Sequence, residues 1–273
     1  MKFKGIGRFI LVVFGLMIFL IQLWVAEEEE QPGQNVTSKT FDCSDLDEDD
    51  SVTMAITHSR AWMEYLNNSD FCSQYNVRYS EIENAANNRN NIYIENWTDD
   101  PDYWRQVYSK LYLDNKDHLW AIQDSLLKIK EDRALDRHAF ATMVVAFVQD
   151  IPYEYVLPEE CTGSEELPCN GNVSLGLYSP LEFLGKMHGD CDTRTVLLYT
   201  LLRNFGYEPL IINSKEYLHS MLALDVASSG DAFEYKGKQY AYWETTNVGW
   251  LAGMLPPDIN NKDYWSVALD YEF

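Results

Sequence analysis

The stretch that most constrains this chain is residues 179–206, SPLEFLGKMHGDCDTRTVLLYTLLRNFG. It predicts two consecutive helix starts. Ser179, Pro180 and Glu182 have the capping-box arrangement: a hydroxyl cap, a proline at the first helical position and a carboxylate three residues past the cap. This short helix is expected to stop near Gly189, after which Asp190 can cap a second helix. Leu197, Leu198, Leu201, Leu202 and Phe205 are spaced for one buried face, and Gly206 is a plausible left-handed stop. Cys191 therefore falls in the first turn of a buried helix, where free N–H groups and the helix dipole favour thiolate. Asp190 and Asp192 oppose that effect, so an imidazolium is needed to tip the balance.

The 273 residues carry a formal charge of −22, which repels nucleic acid, and no basic cluster offsets it. Residues 9–26, FILVVFGLMIFLIQLWVA, are almost wholly apolar and would span roughly 27 Å as a helix. Lys2, Lys4 and Arg8 precede them and Glu27 to Glu30 follow, so the rest of the chain is expected outside the cytoplasm. Cleavage after Ala26 would place Trp24 where a small residue is wanted, which favours an uncleaved anchor over a secreted form. In an oxidising compartment five cysteines leave one thiol over. Cys161 and Cys169 bracket a polar loop and can bridge it, with Cys43 then pairing to Cys72; three pairings of these four remain open. Cys191 is the residue set apart.

Along the chain, residues 1–8 read as a cytoplasmic tail and 9–26 as the membrane anchor. Residues 27–50 read as an acidic linker with little to bury, and 51–135 as a helical extension. Within the extension, the pattern MAITHSRAWMEYL predicts a helix, and NAANNRNN (84–91) a loop. Residues 103–113 and 117–131 predict two more helices, the second with Asp117 as its cap. Residues 136–151 predict an apolar helix ended by Pro152, and 153–178 a loop. Strands are expected at 209–214, 217–226, 238–246 and 264–273, with a hairpin turn at Lys236-Gly237. Helices followed by antiparallel strands argue an α+β fold. Asn35, Asn67, Asn96 and Asn172 stand in glycosylation triplets.

Two residues complement Cys191 chemically. His219 lies in an otherwise apolar strand, YLHSM, and Glu244 in YWETT. A thiolate nucleophile wants an imidazole, and the imidazole wants a carboxylate to fix its tautomer. The separations, 28 and 25 residues, are too long to be local, so their meeting depends on the fold.

GDCDTRTVLLYTLLRNFGYEPLII, HSMLALDV and YAYWETT followed by GW resemble the transglutaminase-like, papain-like cysteine domain over about residues 136–258. The resemblance implies a central helix packed on an antiparallel sheet in a domain spanning 136–273. It also implies Cys191 as nucleophile, His219 as base, Glu244 in place of the commoner aspartate, and Gln149 as an oxyanion donor beside the Cys191 N–H. The implied chemistry is acyl transfer from a peptide or side-chain amide, to water or to an amine, with a protein or peptide as substrate and no cofactor. The competing reading is a catalytically silent, membrane-tethered module that binds peptide or glycan, or acts as a scaffold. A metal site is a third reading, since His188 and Cys191 have a zinc-like offset that His219 can join, but four good ligands are not evident.

Overall fold

The computed structural model describes residues 54–96, 98–165 and 167–272. The proposed cytoplasmic tail, anchor and acidic linker, together with Cys43, lie outside them. Among the described residues no helix is long and apolar enough to cross a membrane.

The chain opens on an antiparallel hairpin, β1 (Ala55–Glu64) and β2 (Ser69–Arg78). Four helices follow: α1 (Tyr79–Asn90), α2 (Asp100–Asn115), α3 (Trp120–Asp132) and α4 (Arg137–Gln149). Two short strands, β3 (Tyr155–Val156) and β4 (Cys169–Asn170), pair in parallel. Helices α5 (Pro180–Lys186) and α6 (Cys191–Asn204) lead into strands β5 (Pro209–Ser214), β6 (His219–Leu224), β7 (Ala232–Tyr235), β8 (Lys238–Trp243) and β9 (Ser266–Leu269). These five form one antiparallel sheet in the order β7-β8-β6-β5-β9. The architecture is α+β, as expected from helices followed by strands.

The sheet is apolar on both faces, and the alternation is visible residue by residue. Leu222, Leu224 and Trp243 join the core formed with α4 and α6. Their neighbours Met221, Ala223, Tyr240 and Tyr242 pack on the opposite side with Trp265, under the segment that runs through Leu255 and Ile259. Helix α6 is buried on more than the single side its leucines predicted: Leu197, Leu198, Leu201 and Leu202 face one core, while Val196 and Tyr199 face a second with α2. Helix α4 is buried from Phe140 to Gln149, with the hairpin against it. Trp62 of β1 donates from its indole to the Met143 carbonyl at 3.2 Å and meets Phe147 edge-on.

Three local expectations hold at the atomic level. Ser179 and Glu182 form the reciprocal capping box of α5. Gly206 ends α6 at φ +78°. Lys236 and Gly237 both have positive φ, +50° and +76°, as a two-residue type I′ hairpin requires. The bridge across the 153–178 loop forms, Cys161 to Cys169. Cys72 is also disulfide-bonded, and among the described residues Cys191 is the free cysteine.

Three expectations fail in the 51–135 region, which is not a purely helical extension. Residues 55–64 are a strand, not a helix. The face β1 turns inward carries His58, Arg60, Trp62 and Glu64, so its alternation is masked by polar residues whose partners are distant in sequence. Arg60 pairs with Asp150 at 2.5 Å, and Glu64 accepts from the Leu66 and Asn67 N–H groups of the turn. Residues 84–90, expected as loop, lie in α1. Their asparagines are poor helix formers, but burial of Ala85 and Arg89 overrides propensity. Helix α3 forms without Asp117 as its cap; Leu119 is the cap residue and no side chain bonds there.

Candidate active site

The turn before α6 is built for close packing. A Cβ added at Gly189 would sit 2.8 Å from Thr193 Cγ2 and 3.2 Å from the Phe183 ring, which leaves room for hydrogen alone. Asp190 caps α6 by accepting from the Thr193 N–H at 3.1 Å. Thr193 in turn accepts, through its hydroxyl, from the Tyr178 N–H at 3.0 Å. These bonds fix Cys191 at the first helical position, 7% exposed.

His219 is the first residue of β6, and Glu244 follows the last residue of β8. The two strands are direct neighbours, paired Leu222 to Trp243. This register brings His219 Nε2 to 2.8 Å from Glu244 Oε2. The other carboxylate oxygen, Oε1, accepts from the Thr245 N–H, the Thr246 N–H and the Thr246 hydroxyl, each at 2.8 Å. The two threonines of the ETT motif thus clamp the acid. With Nε2 engaged, Nδ1 is the ring nitrogen left to face sulfur, and Cys191 lies near enough to the His219 ring for each to shift the other's titration. The Trp265 ring stands edge-on to His219 at 6.0 Å.

Electrostatics divide the three groups. Burial alone would raise Glu244, but the His219 charge and the Thr246 bonds hold it down to about 2, so it is ionised. Burial opposes charging of His219, and Glu244 and Cys191 outweigh it, holding the ring well above an ordinary histidine. Burial pushes the Cys191 thiol up, Asp192 adds to that, and His219 only partly compensates. The helix start and a neighbouring imidazolium favour thiolate by sequence, but burial and the flanking carboxylates outweigh the lowering by His219, so the thiol is pushed up. Those carboxylates are themselves perturbed. Burial and then Asp192 push Asp190 up to about 7. Burial raises Asp192 too, against a hydrogen bond from the Tyr108 hydroxyl and the charge of His219.

Gln149 does not have the geometry of an oxyanion donor. Its amide nitrogen donates to the Glu244 carbonyl at 2.7 Å and the Trp250 carbonyl at 2.8 Å, which commits both protons. It instead ties the end of α4 to the backbone that carries the acid. His188 likewise stands apart from a metal role, paired through Nδ1 with Glu154. Among the described residues no three His, Cys, Asp or Glu side chains gather as metal ligands.

Two residues were missed by sequence reasoning. Arg194 is fully buried and donates to four carbonyls: Val148 (2.7 Å), Ile151, Gly189 (3.1 Å) and Thr245 (3.3 Å). Burial lowers it to about 10, so it stays charged at neutral pH. It ties together the segments that carry Gln149, Cys191 and Glu244. Tyr153 pairs as a parallel bridge with Gly189, which sets its phenol near Cys191. An arginine three residues after the cysteine, within an apolar helix, was the one readable signal of a buried polar hub; Tyr153 carried none.

No protein-family model, curated protein or solved structure matches this chain. What the site can do therefore rests on its own chemistry. A buried thiol beside an imidazole, itself oriented by an ionised and fully bonded carboxylate, is an arrangement suited to nucleophilic attack on a carbonyl.

Proposed function

We propose that the chain is a transglutaminase-like cysteine enzyme that transfers an acyl group from a peptide or side-chain amide to water or to an amine. The observation that carries this reading is the His219–Glu244 bond at 2.8 Å, with the buried free Cys191 close enough to the same ring to act on its charge. Cys191 passes its proton to the His219 ring and attacks the carbonyl carbon through sulfur. The Cys191 N–H stands beside the developing oxyanion, and His219 gives its proton to the leaving amine. The resulting thioester passes to water or to a second amine, with His219 taking the proton of that acceptor. Glu244 keeps the ring oriented and stabilises its charged form. The Cys161–Cys169 bridge agrees with an extracytoplasmic setting, and the apolar residues 9–26 with a membrane anchor.

The 7% exposure of Cys191 favours a second reading, a silent module that binds peptide or glycan. Alkylation of the folded protein by iodoacetamide at pH 8.5, with the labelled residue mapped by mass spectrometry, separates the two. The enzyme reading expects modification at Cys191, abolished by Cys191→Ala and slowed at least tenfold by His219→Ala. An inert Cys191, or one whose rate ignores His219, rejects it.

A further inference from the structure

We propose that the Tyr153 hydroxyl is the second oxyanion donor of this site, a catalytic residue acting beside the Cys191 N–H. The inference rests on the acyl-transfer reading above. A tetrahedral oxyanion in a water-poor pocket wants two donors, and removing one costs roughly a hundred- to a thousandfold in rate. The Cys191 N–H at the start of α6 is one. Gln149 is unable to be the other, with both amide protons committed to main-chain carbonyls.

Tyr153 meets the requirement by position. Pro152 and Tyr153 follow directly on Ile151, whose carbonyl is held by Arg194. Tyr153 is then bridged to Gly189, and the Glu154 N–H donates to the Gly189 carbonyl at 3.3 Å. These contacts place the phenol beside the turn that presents Cys191, near enough for the charge of Cys191 to act on it. Its ring lies against the Arg194 guanidinium, 5.5 Å from centroid to Cζ, and packs edge-on to Tyr155. Tyr153 is half-buried, so one side of it remains open to a substrate. Burial first, then the negative charge of Cys191 and Asp190, drives the phenol pKa upward. The group therefore keeps its proton through the working range and remains a donor.

In the resting site the phenol stands on the side of the turn from which the Cys191 N–H emerges. When the thiolate attacks, the new S–C bond forms and the carbonyl π pair moves to oxygen. The oxyanion then takes one bond from each donor. Collapse restores the carbonyl, breaks the bond to the leaving group and leaves the thioester; neither donor loses its proton.

The test compares two reactions of the same sulfur in the full chain. Acylation by p-nitrophenyl acetate passes through an oxyanion, whereas alkylation by iodoacetamide is a displacement at saturated carbon and forms none. In Tyr153→Phe the p-nitrophenol burst rate is expected to fall about a hundredfold while alkylation stays within about twofold of wild type. A parallel fall in both rates would make Tyr153 a support for the thiol, a rise in both a cover over it, and no change in either a bystander; each overturns the proposal. If the phenylalanine variant does not fold, 3-fluorotyrosine at position 153 replaces it. As a stronger donor it is expected to speed acylation and leave alkylation alone, and an unchanged burst overturns the proposal. A wild type with no burst, or one whose burst survives Cys191→Ala, instead brings down the acyl-transfer reading itself.

Discussion

Asp190 and Asp192 flank the nucleophile with opposite demands on the molecule. Asp190 serves the helix as its cap, yet burial and its neighbour push its carboxyl up to about 7 from an ordinary value of 3.8. A folded-state pKa above the unfolded one means that stability is lost as pH rises from about 4 to about 7, and stays low beyond. Asparagine caps nearly as well and bears no charge. Asp190→Asn is therefore expected to match wild type near pH 4 and to exceed it above pH 7, on the order of 2–4 kcal/mol. The lost interaction with the helix dipole opposes this by less than about 1 kcal/mol. Urea unfolding of both proteins across that range checks the prediction; a gap that shrinks with rising pH sinks it. Asp192 acts on chemistry instead. It is the largest charge effect raising the Cys191 thiol, so Asp192→Asn is expected to move the pH profile of iodoacetamide alkylation down by about one unit. Tyr108 can still donate to the amide oxygen of the variant, so the local packing is kept. A profile that stays in place would show that Asp192 carries no negative charge at the pH where Cys191 ionises.

At the scale of elements, the legible parts were those whose signals are local. The capping box of α5, Asp190 at the start of α6 and the Lys236-Gly237 hairpin each depend on residues within four positions of one another. The sheet was legible too, because β5, β6 and β8 are apolar enough to stand out. The hairpin β1–β2 and helix α1 were not, because their stabilising partners are remote. Arg89 shows this best. It forms a two-pronged bond to Glu182, 2.7 and 2.9 Å, and donates to the Ser174 carbonyl at 2.8 Å. Glu182 also closes the capping box by accepting from the Ser179 N–H at 3.0 Å. An asparagine-rich stretch becomes a helix because one arginine on it reaches a carboxylate 93 positions away. Arg89→Met should cost about 3–5 kcal/mol, since it leaves a buried carboxylate unpaired. The double variant Arg89→Met, Glu182→Gln removes that charge and is expected to recover part of the loss in guanidinium unfolding; a double variant weaker than the single one contradicts the account.

At the scale of the whole molecule, a chain of formal charge −22 buries two cations at the candidate site, the His219 ring and Arg194. Cys191, His219 and Glu244 stood out in the sequence because each is a chemically distinctive residue in a largely apolar stretch. Arg194 went unnoticed because its four acceptors are backbone carbonyls, which no sequence displays. The outer and inner charges make opposing demands on an incoming anion. The outer field acts over a Debye length of about 30 Å at 0.01 M salt and about 3 Å at 1 M, whereas the buried cations are little screened. Iodoacetate and iodoacetamide differ by one negative charge and attack the same sulfur, so their rate ratio reports which field governs entry. At 0.01 M salt the net charge should dominate and make iodoacetate the slower reagent by at least fivefold. Raising the salt to 0.5 M should speed iodoacetate severalfold and leave iodoacetamide nearly unchanged. If salt instead slows iodoacetate, the buried cations rule the approach, and the site selects anionic groups despite its acidic exterior.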